Sequence, residues 1–454
     1  MVNYELNPTA ENIKNTLLKN SSGRNEGIAH FVELLDAIDG NCVIALDDTW
    51  GNGKTFFIKQ LQLVLQNYFL TTDETKQIQQ VIQPFLKEHE VNKYLPVYYD
   101  AWSNDSDDDP VLSIIYNMLQ DMKELWGCEA TAHDWPTAVI RAFDVIVNAF
   151  SGIRIKDFLE SVKGVNILSV IENHKKSDKL LNDLFDIILE KQPDDTRIVF
   201  FIDELDRCCP DFAVKILERI KHYFMHEKII FVLSVNIMEL QHTIRRHYGN
   251  EFDAVKYLTR FFDLTVSLPL PNMDSYYSTL NFLGNSYTRD SVAKAVINMY
   301  NFSLRDISRY LQMLRHLIPV RYNEYRSEFG FYMEILIPFM LGLRIHDTSK
   351  YDKFIRGEDA SSFIDFVLAA DTDWYCRILC NSDETFLQEK AEQQTLVSLE
   401  ERFGSVYRCL FGTKNQNNGI PDEVTIGQTT FSSSGKRLIM GVMSFMFAKQ
   451  NLQE

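Results

Sequence analysis

The chemistry of this chain is first visible at residues 48–55, which read Asp-Thr-Trp-Gly-Asn-Gly-Lys-Thr. They nearly match the phosphate-loop pattern G-x-x-x-x-G-K-[ST]. Small residues at Gly51 and Gly53 let backbone N–H groups point at phosphate oxygens. Lys54 is expected to bridge the β- and γ-phosphates of a nucleotide, and the Thr55 hydroxyl is expected to bind Mg²⁺. The predicted nucleotide-binding residues are Trp50, Gly51, Asn52, Gly53, Lys54, Thr55 and Phe56.

One residue departs from this pattern, because Asp48 stands where the first glycine is expected. Aspartate enters the left-handed backbone region more readily than most residues, so we expect the turn to survive. Its charge is expected to weaken nucleotide affinity. The alternative is a chance Gly-Lys-Thr in a loop. The apolar run before the segment and the amphipathic stretch after it favour a phosphate loop, since that mechanism needs a strand, a loop and a helix in this order.

A second group of reactive residues follows the apolar run RIVFFI at 197–202, which continues as DELDR. The carboxyl end of a buried strand is the edge that faces the ligand in nucleotide-binding sheets. Asp203 is therefore the predicted Mg²⁺ partner, and Glu204 the predicted base that orients and polarises the attacking water. An ordinary polar strand exit is the alternative. Asp206 and Arg207 are predicted to form a local ion pair.

Two further candidates follow in the next elements. Asn236 ends the buried run FVLSVN, where its side chain could hydrogen-bond the attacking water or the γ-phosphate. The alternative is that Asn236 caps the following helix. Arg260 lies just before another predicted strand and could project into a neighbouring subunit's site to stabilise transition-state charge. Arg245 and Arg246 are its rivals, and surface solvation is the alternative.

The last candidate is Arg305, in the helical stretch SLRDISRYL. It could reach the γ-phosphate and couple the position of a helical lid to the state of the nucleotide. Arg309 lies one turn further along the same helix and is its rival. An intrahelical pair between Arg305 and Asp306 is the alternative.

The elements that must position these residues alternate between buried strands and helices. This order indicates an α/β fold with three layers and a mainly parallel sheet, as in a P-loop NTPase. The predicted organisation is an N-terminal helical segment at 1–38, a core at 39–272 with a helical insertion at about 112–192, a helical lid at 273–320 and a mostly helical C-terminal region at 321–454.

Composition narrows the functional class. The 454 residues include 46 Lys plus Arg against 63 Asp plus Glu, a net charge of −17, which argues against a general nucleic-acid coat protein. The seven Cys lack paired C-x-x-C spacing, so neither a disulfide framework nor a zinc site is indicated. No signal peptide is visible, and we expect no membrane-spanning stretch of about 18–20 apolar residues. A cytoplasmic protein without a membrane partner is the expectation.

The motifs together resemble the KAP family of P-loop NTPases, in the ASCE division that also holds the AAA+ and STAND proteins. The resemblance covers about 20–320 and rests on ALDDTWGNGKTFFIKQL, VYYDAW, FFIDELDRCCPDFAVKILERIKHYF, IIFVLSVNIMELQHTIRRHYG, DAVKYLTRFFDLTVSLPLP and SLRDISRYLQMLR. Many members carry membrane spans in the insertion, so a soluble member is implied. The resemblance also implies ATP hydrolysis used as a switch and, in bacterial members, defence against phage and mobile DNA.

The expected function is thus a Mg²⁺-dependent ATPase that assembles with copies of itself and controls a protein effector. One alternative is a scaffold that binds nucleotide without useful hydrolysis and holds an effector nuclease or toxin. Another is an ATPase or clamp stimulated by nucleic acid, which the charge does not support. The choice of ATP over GTP rests on the resemblance, since no guanine-reading N-K-x-D stands where it would be expected.

Overall fold

The computed structural model describes residues 7–67, 73–86, 92–125, 177–190, 192–280, 287–316, 327–369, 393–412, 421–427 and 429–448. It contains two compact units, Asn7–Tyr276 and a second that includes Tyr277–Glu454. The middle of the predicted insertion, 126–176, and the end of the predicted lid lie outside the described residues. The finer domain division made from the sequence stays a prediction.

The first unit alternates strands with helices. Its elements are α1 (Ala10–Leu18), α2 (Asn25–Asp36), β1 (Cys42–Asp47), α3 (Lys54–Asn67), α4 (Asp73–Ile82), β2 (Tyr94–Asp100), α5 (Pro110–Leu125), α6 (Ser177–Leu189), β3 (Arg197–Asp203), α7 (Pro210–Tyr223), β4 (Ile229–Val235), α8 (Ile237–Tyr248), α9 (Ala254–Leu258) and β5 (Leu264–Ser267), with α10 (Met273–Thr279) at its end.

The five strands form one parallel sheet in the order β2-β3-β4-β1-β5. Every residue of β3 and β4 is buried, because helices cover both faces of the sheet. One face packs Phe200 and Phe231 against α5, α6 and α7, and the other packs Ile44 and Val232 against α2 and α3. The predicted α/β fold with a parallel sheet is confirmed.

The second unit is mainly helical. Its elements are α11 (Tyr287–Met299), α12 (Leu304–His316), α13 (Ser327–Phe331), a π-helical turn (Tyr332–Leu336), α14 (Ile337–His346), α15 (Thr348–Ile355), α16 (Ser361–Ala369), α17 (Gln393–Phe411), β6 (Glu423–Ile426), β7 (Thr429–Ser432) and α18 (Gly435–Ala448). The strands β6 and β7 form an antiparallel hairpin. The predicted helical C-terminal region is confirmed.

One helical run of the second unit is long and apolar enough to cross a membrane. Within the described ranges it is the single such run, Glu328–His346, and 67% of its most apolar 18-residue window is buried. By length and composition, the expectation that no such stretch exists is wrong. Burial to this extent is what the core helix of a soluble protein also shows, so the run is weak support for a membrane span.

The interior of this run generates a stability prediction. Gly342 in α14 is buried, and a Cβ at this position would lie 2.1 Å from Cγ1 of Val296 in α11. We expect Gly342→Ala to lower the free energy of unfolding by about 1–3 kcal/mol through overpacking. Gly441 in α18 is the control, because a Cβ there meets nothing within 4 Å. Gly441→Ala should raise stability by about 0.5–1 kcal/mol in the same denaturation experiment. Equal effects at the two positions would contradict the prediction.

Candidate functional site

The phosphate loop joins β1 to α3 and has the curvature that its sequence pattern requires. Gly51 and Gly53 adopt φ angles of 89° and 86°, in the left-handed region that favours glycine. The helix α3 begins at Lys54, so its unpaired backbone N–H groups lie at the end of the loop. This arrangement can bind an anion through backbone amides and the positive end of the helix.

Asp48 stabilises the loop through its side chain. Its Oδ1 accepts hydrogen bonds from the backbone N–H of Thr49 at 2.6 Å and from the side-chain amide of Asn52 at 2.8 Å. The φ angle of Asp48 is not positive. The expectation that a left-handed backbone at Asp48 preserves the turn is therefore wrong, and an Asx-type contact has that role instead.

The side chain of Lys54 lies within the turn of the phosphate loop. Its Nζ donates to the carbonyl oxygens of Asp48 at 2.5 Å and of Thr49 at 3.1 Å. The residue is only 8% exposed, and this burial lowers the pKa of Lys54 while nearby carboxylates, chiefly Asp206, oppose the shift. The ammonium group is thus held by the loop's own oxygens, which phosphate oxygens would have to replace.

Thr55 and Asp203 meet across the site. The Thr55 hydroxyl donates to Oδ2 of Asp203 at 2.7 Å, and the phenol of Tyr98 in β2 donates to the same oxygen at 3.1 Å. Asp203 is 1% exposed, and burial raises its pKa while these hydrogen bonds oppose the shift. Two hydroxyl donors therefore converge on one oxygen of this buried carboxylate and orient it.

The donor set of Thr55 and Asp203 fits Mg²⁺. A hydroxyl and a carboxylate are hard oxygen ligands, and Mg²⁺ in nucleotide sites is usually held by one or two such groups plus waters and phosphates. Across the part of the chain that the structure describes, no group of three or more His, Cys, Asp or Glu could hold a metal ion by itself.

Glu204 follows β3 in a left-handed backbone conformation, with φ 59° and ψ 25°. Its carboxylate forms an ion pair with Arg207. Burial, followed by the charge of Asp203, raises the pKa of Glu204 to about 7, while Arg207 opposes this shift. The expected pair between Asp206 and Arg207 is wrong: Arg207 pairs with Glu204, and Asp206 accepts a hydrogen bond from the indole of Trp50.

The other four candidates lie in α3, at the start of α8, in the turn before β5 and in α12. Asn236 caps α8, because its Oδ1 accepts from the Glu239 N–H at 3.4 Å, which is the alternative that the sequence left open. Phe56 is half-buried in α3, and Arg260 is exposed in the turn before β5. Arg305 is exposed on α12, in the other compact unit. The roles of all four toward nucleotide stay predictions.

The alternative for Arg305 was an intrahelical pair with Asp306, but Ser303 is the residue that holds the Asp306 carboxylate. The carboxylate of Asp306 accepts hydrogen bonds from the N–H and hydroxyl of Ser303, whose hydroxyl in turn accepts from the Asp306 N–H. These reciprocal contacts close the start of α12 as a capping box does.

Sequence reasoning missed two residues that shape the site. Tyr98 orients Asp203, but its role depends on β2 lying next to β3, which the sequence does not show. Arg24 is 4% exposed; its Nε donates to the carbonyl of Pro269 at 2.6 Å and its Nη1 to that of Asn52 at 2.7 Å. Nothing in the spacing marks Arg24, because its partners are distant in the chain.

Comparison with known families agrees with this geometry. The model of the KAP family P-loop domain matches residues 24–320. The chain belongs to the KAP family of P-loop NTPases. No curated protein matches the chain in a sequence comparison. The match begins at Arg24, the residue that contacts the phosphate loop from α2's start, and membership in the KAP family indicates a nucleotide-binding domain.

Asp48 generates a prediction about affinity. Asp48→Asn keeps the Oδ1 acceptor for Thr49 and Asn52 but removes the charge. We expect this variant to bind Mg-ATP roughly fivefold more tightly, since removing ~1 kcal/mol of repulsion with phosphate corresponds to that factor. Asp48→Ala is the matched variant that also loses the acceptor, and it should bind more weakly than Asp48→Asn. Calorimetric titration measures both. An Asp48→Asn affinity no tighter than that of the wild type would contradict the prediction.

Proposed function

We propose that the chain is a Mg²⁺-dependent ATPase that acts as a regulatory switch. The observation that carries this proposal is the 2.7 Å contact between the Thr55 hydroxyl and the Asp203 carboxylate, next to a glutamate whose pKa is raised to about 7. A metal-binding pair and a base-like carboxylate beside a phosphate loop are the parts that phosphoryl transfer to water requires.

In the proposed mechanism, Lys54 and the loop amides hold the phosphates after Lys54 exchanges the carbonyls of Asp48 and Thr49 for phosphate oxygens. Thr55 and Asp203 would hold Mg²⁺, and the ion would supply positive charge beside the phosphates. Tyr98 keeps the Asp203 carboxylate in one orientation. These groups bind and orient the nucleotide.

Glu204 orients the attacking water and accepts its proton as the oxygen bonds to the γ-phosphorus, and ADP leaves with the electron pair of the broken bond. A carboxylate with a pKa of about 7 is matched to this task, because a base works best when its pKa lies near the working pH. Asn236 is proposed to position the water, although its oxygen also serves the helix cap. Arg260 and Arg305 are proposed to respond to the γ-phosphate.

The switch part of the proposal rests on the family. ATP would favour self-assembly and hydrolysis would reverse it, so the nucleotide state would set the population of the assembled form. The output through a protein effector, and a role in defence against phage or mobile DNA, come from the family resemblance alone. The C-terminal helical unit is proposed to bind the partner or sense the trigger.

The test of the chemistry is Glu204→Gln, which keeps the shape of the side chain and removes the proton acceptor. We expect this variant to bind Mg-ATP like the wild type and to release phosphate at least about a hundredfold more slowly. Asp108→Asn, in the exposed loop before α5, is the matched control and should hydrolyse normally. Chelation of Mg²⁺ with EDTA should stop wild-type hydrolysis.

Three outcomes decide between the candidate functions. Unchanged turnover in Glu204→Gln would refute the assignment of the base. Binding of ATP without hydrolysis by the wild type would favour the scaffold. Stimulation by DNA or RNA, with salt-sensitive binding, would favour the nucleic-acid-dependent ATPase.

Assembly is tested separately by the molar mass in solution. Glu204→Gln with Mg-ATP should accumulate the triphosphate-bound form and elute at a multiple of the monomer mass by light scattering. Lys54→Ala, which loses the phosphate contact, should stay at the mass of the nucleotide-free chain. An identical mass with and without ATP in both variants would exclude the switch as proposed.

A further inference from the structure

Arg207 lies between two tryptophan rings that come from different parts of the chain. Its guanidinium carbon is 5.9 Å from the ring centroid of Trp50 and 5.6 Å from that of Trp102. Trp50 belongs to the phosphate loop, and Trp102 belongs to the short 3-10 turn that follows β2. The guanidinium of Arg207 therefore contacts the phosphate loop and the turn after β2. Arg207 itself lies in the turn that follows β3. We call these three side chains the Trp–Arg–Trp stack.

The stack is not explained by burial of apolar surface. Trp102 is 53% exposed and Trp50 is 43% exposed, so neither ring belongs to the core. The indole N–H of Trp50 donates to Asp206, and Trp102 is held beside β3 because the Ala101 N–H donates to the Asp203 carbonyl at 3.0 Å. Both exposed rings are available for cation–π contact with Arg207.

An edge of the guanidinium is directed to Glu204. The Nε of Arg207 pairs with the Glu204 carboxylate, three residues earlier in the chain. Glu204 also has a left-handed backbone, which is unfavourable for a residue with a side chain and persists only where neighbouring contacts fix it. The contacts of Arg207 thus determine where the carboxylate of Glu204 lies.

We propose that Arg207 is a positioning residue, and that the Trp–Arg–Trp stack orients Glu204 and links that orientation to the occupancy of the phosphate loop. This inference rests on the proposed ATPase function. Trp50 stands between Asp48 and Gly51 in the loop, so a change in loop conformation on phosphate binding changes the distance between the Trp50 ring and Arg207. Glu204 then follows, because it is paired to the same guanidinium.

Trp102 offers the sharpest test, since it belongs to the stack but not to the phosphate loop. We expect Trp102→Ala to lower kcat for Mg-ATP about two- to fivefold, the factor that corresponds to one exposed cation–π contact of ~0.5–1 kcal/mol. KM should stay within about twofold, because Lys54 and the loop amides are untouched. Trp102→Phe keeps an aromatic face and should recover most of kcat.

Two further variants complete the set. Arg207→Lys keeps the charge beside Glu204 but loses the planar face, so kcat should fall as in Trp102→Ala. Tyr116→Ala removes an aromatic side chain of nearly equal exposure, 54%, on α5, and should change neither constant. A kcat for Trp102→Ala equal to that of Tyr116→Ala, or an effect confined to KM, would overturn the inference. If Trp102→Ala fails to fold, Trp102→Phe and Arg207→Lys carry the comparison.

A fluorescence measurement separates this inference from the proposed function. Addition of a non-hydrolysable ATP analogue should change the tryptophan emission of the wild type, and Trp102→Phe should show a smaller change. If the wild type binds the analogue but does not hydrolyse ATP, the ATPase proposal fails while a Trp102-dependent emission change still supports the link to the loop. Equal changes in both proteins would refute the link. A wild type that binds no nucleotide would overturn both proposals.

Discussion

The site depends on one hydrogen bond, from the Thr55 hydroxyl to the Asp203 carboxylate, between residues 148 positions apart. Thr55 lies in α3, the helix that follows the loop after β1, and Asp203 is the last residue of β3. The strands β1 and β3 are separated in the sheet by β4. The start of the phosphate loop is hydrogen-bonded to the end of β4, since the Asp48 N–H donates to the Val235 carbonyl. A one-residue slip of β3 against β4 would turn Asp203 to the opposite face of the sheet. The buried, apolar strands prevent such a slip, so packing far from the site maintains its geometry.

The charged residues around this contact are mainly acidic. The carboxylates outnumber the cations at the end of the sheet, as they do in the whole chain, where 63 acidic residues face 46 basic ones. Asp100 even lies opposite Asp203 in the parallel register. Each nearby cation has a defined partner: Lys54 lies among loop carbonyls, and Arg207 pairs with Glu204. A polyphosphate that enters this region adds negative charge, so a metal-bound form fits it better than a free anion.

The sequence was sufficient to predict the sheet and the pairing of loop with acidic strand, because buried strands and glycine-lysine spacing are local patterns. It was insufficient where a role depends on strand order. Tyr98 reaches Asp203 only because β2 is the neighbour of β3. Asp48 shows another limit: the sequence suggested a left-handed backbone, whereas its side chain accepts local hydrogen bonds and its φ angle is not positive. For Arg207, spacing favoured Asp206 as partner, whereas the turn after β3 places it beside Glu204.

Arg24 connects the phosphate loop to the last segment of the first unit. Its guanidinium holds the carbonyls of Asn52 and Pro269 together, and Pro269 precedes by seven residues the end of that unit at Tyr276. The group is rigid and buried, so its two bonds cannot lengthen independently. A displacement of Asn52 must therefore either break one bond or carry Pro269 along. The phosphate loop is thus linked through Arg24 to the segment that leads to the end of the first unit.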